Sequence, residues 1–177
     1  MANSRILETD LLVLEPFSEK HLTQRYLNWF KDPVATRLSE HQHRTYTMES
    51  CKAYMESFEH SPNYFWAAVT KDSDLGHIGN LTATVDPRNR VADLAIFIGE
   101  TRAWGKGYGF DAWKTACDFL SNDCTIRKVS AGTTSLNKAM LRIMRKAGMV
   151  EDGVRRRALI VDGREVDHHY FAIFRDE

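Results

Sequence analysis

Three glycines that alternate with larger residues are the part of the sequence with the clearest chemical potential. They lie in a six-residue segment whose members are Trp104, Gly105, Lys106, Gly107, Tyr108 and Gly109. Glycine leaves backbone N–H groups accessible, and a helix that begins here would add its unpaired N–H groups and the positive end of its dipole. The segment therefore predicts a binding site for an anion such as a phosphate. A tight connecting loop that binds nothing is the alternative.

Two common phosphate-binding motifs do not fit this segment. A P-loop requires Lys-Ser or Lys-Thr after its last glycine, where this chain has Phe110 and Asp111. The dinucleotide fingerprint requires its third glycine at position 110, which is also occupied by Phe110. Both classes of site are therefore excluded.

The patterns before the glycine segment predict strands. Runs rich in β-branched and aromatic residues cover Tyr64 to Val69, His77 to Val85 and Val91 to Ile98. Turn-forming clusters at Lys71 to Asp74 and Asp86 to Arg90 separate these runs. Such a succession is typical of an antiparallel meander.

The patterns after it predict a helix from about Phe110 to Ser121, because Trp113, Ala116, Cys117 and Leu120 recur at helical spacing. The glycine segment thus connects a strand to a helix. The next elements are a strand at Ile126 to Gly132 and a helix whose apolar face starts at Leu136 and includes Met140, Ile143, Met144 and Ala147. Gly148 is the expected C-terminal cap residue of that helix.

The two ends of the chain complete the pattern. A short strand at Leu11 to Leu14 precedes a helix that opens near Pro16 and Ser18 and stops at Asp32-Pro33. A second helix is capped by Thr47, carries an apolar stripe and ends before Ser61; the stripe consists of Cys51, Tyr54, Met55 and Phe58. The first third is therefore predicted to be mostly helical.

The last segment predicts a hairpin with arms at Val154 to Val161 and Glu165 to Phe174. Asp162-Gly163 connects them, and this dipeptide favours a type I′ turn.

Composition limits the class of protein. The 177 residues and 43% hydrophobic content suit one domain, residues 1–177, and 24 basic against 24 acidic residues give no net field for nucleic acid or an anionic membrane. The start of the chain, Met1 to Asp10, lacks the apolar core of a signal peptide, and no apolar run approaches membrane-spanning length. Cys51, Cys117 and Cys124 show no zinc or disulfide spacing, so we expect a cytoplasmic protein without a metal.

In this order the motifs resemble the GCN5-related N-acetyltransferase (GNAT) superfamily, in its ribosomal-protein N-terminal acetyltransferase (RimJ/RimL-like) branch. Trp104 to Gly109 is similar to that branch's Trp-Gly-Lys-Gly-Tyr-Ala/Gly motif. His77 to Asn80 resembles the family's third strand and Ile96 to Gly99 its fourth. The segment from Asn137 to Lys146-Ala147-Gly148-Met149 resembles a family segment that begins with Asn and ends in Lys-x-Gly-Phe.

The resemblance implies an α+β GNAT fold. Its mixed, mostly antiparallel central sheet is splayed between strands four and five and flanked by helices. Acetyl-CoA, as cosubstrate, would lie in the splay. The backbone of Ile96, Phe97 and Ile98 would bind pantetheine, Arg102 to Gly109 the pyrophosphate, and Asn137 the pantetheine arm. Asn137 by itself fits a helix N-cap equally well. Lys106, Arg142 and Lys146 can help neutralise phosphates or can be ordinary surface charges.

The implied reaction is direct attack of a primary amine on the thioester, through a tetrahedral intermediate and without a covalent enzyme intermediate. An alkyl ammonium must first lose a proton, and Asp93, Glu100 and His77 are the candidate acceptors. A backbone amide around Phe97 or Ile98 would stabilise the oxyanion.

The proton donor to the leaving thiolate is not assigned by the resemblance. Many relatives have a Tyr seven residues after the Asn, or a Ser three after it, where this chain has Met144 and Met140. Methionine cannot donate a proton, and the spacing of both residues fits a packed helix face. Tyr170, the cysteines and the substrate ammonium are the substitutes.

Acceptor specificity is expected from the first third and the last hairpin. The candidate contacts between the first two helices are Trp29, His41, His43, Arg44 and Tyr46, which otherwise form a solvated loop. The run Arg155-Arg156-Arg157 fits recognition of an acidic peptide or a nucleotide-sugar diphosphate, and it fits a strand edge protected against aggregation equally well. His168 and His169 point to opposite faces of a strand and do not form one metal site.

The acceptor is thus an amine-bearing small molecule, an amino sugar or a protein N-terminus. A homodimer is left open. The alternative functions are a catalytically weak CoA-binding sensor or partner module and a noncatalytic structural domain.

Overall fold

The computed structural model of the chain describes residues 5–71, 74–123 and 125–175. Parts of three predictions lie outside this range, namely the first four residues of the Met1 to Asp10 segment, the centre of the turn cluster at Lys71 to Asp74, and Cys124. Within it, no helix is long and apolar enough to cross a membrane.

Eight strands form one sheet. They are β1 (Leu7–Glu8), β2 (Leu12–Pro16), β3 (Tyr64–Thr70), β4 (His77–Asp86), β5 (Val91–Ile98), β6 (Lys128–Thr134), β7 (Val150–Val161) and β8 (Arg164–Phe174). The α-helices of the described residues are α1 (Gln24–Lys31), α2 (Pro33–Thr36), α3 (Met48–Glu56), α4 (Tyr108–Asp118) and α5 (Lys138–Lys146).

The sheet has the order β1-β2-β3-β4-β5-β6-β8-β7. Every neighbouring pair is antiparallel except β5 and β6, which are parallel. Because β1 is counted first here, the strands called four and five in the family resemblance are β5 and β6 of this structure. The predicted α+β fold with a mixed, mostly antiparallel sheet is confirmed.

Two apolar cores cover the two faces of the sheet. On β3, Trp66 belongs to the larger core with α4 and α5, whereas its neighbours Phe65 and Ala67 belong to the core with α1 and α3. This alternation follows from the two-residue period of a strand. The same period places Leu94 of β5 in the larger core and directs Asp93 and Phe97 toward the α1 side.

The predicted start of the first helix was wrong. β2 continues through Pro16, a single 3₁₀ turn covers Glu19–His21, and α1 begins only at Gln24. Two caps cause this arrangement: Ser18 and His21 form a capping box around the 3₁₀ turn, and the Thr23 side chain accepts the N–H of Tyr26. Leu22 lies between the two caps with a non-helical ψ of 76° and is therefore not part of the apolar helix face.

The second half agrees with the patterns apart from its boundaries. α4 starts two residues early, at Tyr108, and is followed by a π turn at Phe119–Asp123. β6 runs from Lys128 to Thr134 instead of from Ile126 to Gly132, and β7 begins at Val150, four residues before the predicted arm. Leu136, predicted on the face of α5, precedes the helix and is 42% exposed.

Several turn and cap predictions are confirmed. Thr47 caps α3. Gly148 follows α5 with a φ of 90°. Asp162 and Gly163 both have positive φ, as a type I′ turn requires.

Candidate active site at the split between β5 and β6

The central feature of the site is a split in the sheet. β5 and β6 pair only through Val91–Lys128, Ala92–Val129 and Asp93–Ser130. Beyond these pairs, β5 continues to Ile98 and β6 to Thr134 without pairing to each other, while β4 and β8 still hold their outer edges. An unpaired strand edge can bind an extended ligand through its backbone groups. The split therefore provides such an edge on β5.

The orientation of the β5 backbone decides which residues face the split. The Phe97 carbonyl points at β4, where it lies so close to Gly79 that a side chain there would strike it. The Ile98 carbonyl accepts the Trp104 indole N–H at 2.9 Å, on the side of the glycine segment. Because backbone groups of successive strand residues point to opposite edges, Ile96 and Ile98 face the split and Phe97 faces β4.

The glycine segment has the conformation of an open anion site. Gly105 and Gly107 have φ values of 74° and 91°, a region that side-chain-bearing residues rarely adopt. Gly107 is the N-cap of the 11-residue α4, so the first amides of that helix are directed at the loop. Residues 104–107 are exposed, and nothing lies within 4 Å of the position that a Cβ at Gly105 would take.

The charged side chains around this loop include one carboxylate with partners of its own and two lysines. Asp111, in the first turn of α4, is turned away because its carboxylate accepts the Thr9 hydroxyl and the Leu11 N–H. Lys106 is exposed within the loop. Lys146 lies over the Phe110 ring at 3.9 Å from the ring centroid, next to the start of α4.

Glu100 is a buried structural carboxylate. Its oxygens contact Arg25 at 2.5 Å and the Nε of Arg102 at 2.9 Å, and they also accept the Arg102 backbone N–H. Hydrogen bonds from Arg102, with the charge of Arg25, lower the pKa of Glu100 to about 2. A carboxylate with so low a pKa is a poor proton acceptor, and the pairing also engages Arg102, which was predicted at the pyrophosphate.

His77 is also a structural side chain. Its Nε2 lies 2.9 Å from the Gly79 carbonyl, and its ring packs among Phe17, Tyr26 and Trp29. Burial lowers the pKa of His77 to about 4. The imidazole is therefore neutral at pH 7 and bonded to the backbone.

Asp93 lies at the last pair before the strands diverge. It projects to the α1 side of the sheet, is exposed at the mouth of the split, and accepts the Ser130 hydroxyl at 3.2 Å. Partial burial of the carboxyl group raises the pKa of Asp93. The hydrogen bond from Ser130 and the charge of His168 act in the opposite direction. Of the three predicted proton acceptors, Asp93 is the one that the structure places at the split.

Tyr170 lies on β8 opposite Gly132 of β6, so its side chain projects from the same face as Asp93. Its hydroxyl lies 3.1 Å from the Nδ1 of His168. Sequence reasoning did not place His168, Gly132 or Ser130 at the split. The two-residue spacing of His168 and Tyr170 indicates that they share one face of a strand. Their position beside β6 depends on the pairing register of β6 and β8, which local sequence does not determine.

Asn137 is the N-cap of α5, since its Oδ1 accepts the Met140 N–H at 3.1 Å. This bond uses the carbonyl oxygen and leaves the side-chain NH₂ to other partners. Met144 is fully buried in the larger core and Met140 packs against it, as their helical spacing predicts. Arg142 is exposed on the same helix.

The predicted acceptor cluster divides into two parts. Trp29, His41 and Tyr46 pack in the core beside β5: Trp29 lies against Gly99, and the His41 ring contacts Phe97. A 2.6 Å hydrogen bond joins His41 to Tyr46. His43 and Arg44 are exposed.

Other reactive groups are not placed for chemistry. Cys51 and Cys117 are buried free thiols, and burial raises the pKa of Cys117 to about 12. His169 contacts Glu151 on β7, on the face opposite His168. Among the described residues, no three His, Cys, Asp or Glu side chains are grouped to hold a metal ion.

Comparisons with known proteins agree with this geometry. A family model described as an acetyltransferase (GNAT) domain matches residues 12–150. The probable N-acetyltransferase YjcK of Bacillus subtilis (strain 168) is 24% identical over 122 residues, which cover 68% of this chain and 66% of that protein. The chain thus spans just under two thirds of that relative.

Two solved structures have the same fold. RimL, a ribosomal L7/L12 alpha-N-protein acetyltransferase in complex with coenzyme A, has a TM-score of 0.82 at 14% identity, over 97% of this chain and 99% of that one. Spermidine N-acetyltransferase from Vibrio cholerae, in complex with CoA and spermine, has a TM-score of 0.80 at 16% identity, over 93% of this chain and 95% of that one.

The family match covers the split, the glycine loop and most of the sheet. The expectation of an acetyl-CoA-dependent acetyltransferase is thereby confirmed at the level of the family. The chain belongs to the GNAT acetyltransferase family.

Proposed function

We propose that this enzyme transfers the acetyl group of acetyl-CoA to a primary amine by direct attack through a tetrahedral intermediate. The observation that carries the proposal is the split, where a free edge of β5 leads directly to an open, glycine-lined helix N-terminus. An extended chain ending in a pyrophosphate matches both parts. Pantetheine would pair with the backbone of Ile96 and Ile98, and the pyrophosphate would bind at Gly105 to Gly109, with Trp104 and Tyr108 bordering the loop.

This placement puts the thioester near Asp93, where β5 and β6 diverge. Asp93 would hold the acceptor ammonium by charge and accept its first proton, directly or through water. A backbone N–H of β5 that faces the split beside the thioester would stabilise the oxyanion. Tyr170, on the same face, would protonate the departing thiolate. Glu100 would position the loop by holding Arg102.

The acceptor is proposed to be a small amine, an amino sugar or a protein N-terminus. The RimL and spermidine N-acetyltransferase structures show that this fold accompanies both protein and polyamine acceptors in other proteins. The finer placement in the RimJ/RimL-like branch rests on the Trp104 to Gly109 motif. A single domain, a cytoplasmic location and the option of a homodimer belong to the same proposal.

An acceptor panel tests the proposal. Thiol release from acetyl-CoA would be followed with polyamines, amino acids, amino sugars and peptides with free N-termini, and CoA binding would be measured in parallel by thermal shift. Amine-dependent release with at least one acceptor supports the proposal. Tight CoA binding without release on any acceptor would instead identify a CoA-binding sensor or partner module, and absence of binding would indicate a structural domain.

A further inference from the structure

We propose that His168 is a catalytic residue of this site, which takes the second proton from the attacking nitrogen and passes it through Tyr170 to the leaving sulfur. The inference rests on the proposed function and concerns the proton transfer that Asp93 alone does not complete.

The chemistry requires two proton acceptors. The ammonium loses one proton to become a nucleophile, and the nitrogen loses a second after it has formed the C–N bond and become positively charged. Asp93 can take the first proton. The second proton needs another acceptor, and the thiolate needs a donor, so one group that joins the two serves both requirements.

The position of His168 matches this requirement. Its ring lies across β6, such that a Cβ at Gly132 would be 2.6 Å from Nε2 and 3.2 Å from Cε1. Gly132 is exposed, and it is the second residue of β6 after Ser130, where the pairing to β5 ends. The absence of a side chain at Gly132 therefore admits the imidazole to the β6 wall of the split, on the Asp93 side of the sheet.

The other ring nitrogen already has its partner. His168 Nδ1 lies 3.1 Å from the Tyr170 hydroxyl, and the two rings pack at 4.4 Å between centroids. In the tautomer in which Nδ1 carries the hydrogen and donates it to Tyr170, the lone pair of Nε2 is available on the β6 side. The Tyr170 hydroxyl then donates its own hydrogen to the leaving sulfur.

The electrostatic surroundings keep His168 neutral. Burial is the largest cause of its lowered pKa; Arg155 and His169 lower the pKa further, whereas Asp93 and Glu40 oppose them. Arg155 also lies over the Tyr170 ring, 5.2 Å from its centroid. A neutral imidazole accepts a proton at pH 7, and it does so beside the carboxylate of Asp93, which stabilises the resulting imidazolium.

The step balances. The C–N bond forms and the C–S bond breaks; one proton leaves the nitrogen to Asp93 and then to solvent. The second moves from the nitrogen to Nε2, while Nδ1–H protonates the Tyr170 oxygen and the Tyr170 hydrogen moves to the thiolate. The products are the N-acetyl amine, CoA thiol and one released proton.

The first experiment compares His168→Gln with His169→Gln. The neighbouring His169 points to the other face of β8 and serves as the matched control. With the best acceptor of the panel, His168→Gln is expected to lower kcat on the order of 100-fold or more while CoA binding is retained. It should also remove the acid-side loss of activity that arises from imidazole protonation. His169→Gln should retain the rate and the acid-side loss of activity, with the midpoint moved only slightly to higher pH, because His169 contributes least to the lowered pKa of His168.

A second experiment separates chemistry from folding. His168→Gly should be inactive and regain turnover with added imidazole, which a merely structural role would not allow. Gly132→Ala would displace the ring without changing any titratable group and should lower kcat with Tm close to that of the wild type.

The outcomes are distinguishable. A normal rate and pH profile in His168→Gln, or no rescue of His168→Gly by imidazole, overturns the role of His168 while the acetyltransferase activity of the wild type stands. No turnover by the wild type with any amine overturns the proposed function and this inference with it.

Discussion

At the scale of single residues, Glu100 shows how a catalytic candidate can be a structural group. It is buried, and its two arginine partners come from α1 and from the turn before the glycine loop. It therefore connects α1 to the turn that precedes the glycine loop. Its pKa is lowered on folding, so its contribution to stability is present above the unfolded-state pKa of about 4.5 and is lost as pH falls toward about 2.

Glu100→Gln is expected to lower the free energy of unfolding at pH 7 by about 1 to 2 kcal/mol, a value discounted because both arginines are partly exposed. The difference from the wild type should shrink as the pH is lowered from about 4.5 to about 2. Urea unfolding at several pH values measures it. Glu165→Gln, which removes the exposed pair with Arg157, is the control and should change stability little. A difference independent of pH would contradict the explanation.

Asp93→Asn tests the proposed first proton acceptor. Because a carboxamide cannot accept the proton or hold the ammonium by charge, kcat/KM should fall on the order of 100-fold, most strongly at low pH where free amine is scarce. CoA affinity should be unchanged. Asp118→Asn, which removes an ion pair with Lys114 on α4, on the other side of the sheet, is the matched control. A normal pH profile in Asp93→Asn would remove this residue from the mechanism.

At the scale of elements, Asn137 combines a helix cap with a predicted ligand contact, and two substitutions separate these roles. Asn137→Ala removes the bond to the Met140 N–H and should cost about 1 kcal/mol of stability. Asn137→Asp retains a good cap and should be nearly as stable as the wild type. If the side-chain NH₂ contacts pantetheine, both variants lose CoA affinity. Urea unfolding and calorimetric titration with CoA give the two readouts; unchanged affinity in Asn137→Asp would leave only the cap.

The elements also show what sequence patterns can and cannot predict. The β3 to β5 meander, α4 and the Asp162-Gly163 turn follow from local spacing and turn chemistry, and they were predicted within a few residues. The start of the first helix was not, although its end at Asp32 was, because caps at Ser18 and Thr23 compete with the apolar spacing of Leu22 and Tyr26. A pattern of apolar residues does not show which of two adjacent caps starts the helix.

At the scale of the whole molecule, the glycine loop could be predicted from the sequence, whereas the grouping of side chains at the split could be predicted only in part. The glycine segment is contiguous in sequence, so its conformation is encoded locally. The group formed by Asp93, Gly132, His168 and Tyr170 comes from three strands and depends on their register. The resemblance to a family supplied Asp93 and the donor loop, but the position of His168 over Gly132 follows only from the packed sheet.

Ligand binding should stabilise the whole fold. Saturating CoA at 100 times its Kd is expected to add about 2.7 kcal/mol to the free energy of unfolding. Gly107→Ala and Gly107→Glu place the same backbone strain at a φ of 91°, but only Glu adds a negative charge and a long side chain at the proposed pyrophosphate. The thermal shift with CoA should therefore be reduced in Gly107→Ala and abolished in Gly107→Glu. Equal shifts in both variants would contradict an anion site at this loop.

The brief pairing of β5 with β6 also has a mechanical consequence. Three residue pairs form the only hydrogen-bonded seam between a five-stranded leaf, β1 to β5, and a three-stranded leaf, β6 to β8, both of which are fully described. Acetyl-CoA bound as proposed would replace the missing backbone partners of β5 and so lengthen the connection between the leaves. Release of CoA at the end of each proposed cycle would return the two leaves to the three-pair seam and the larger core that they share.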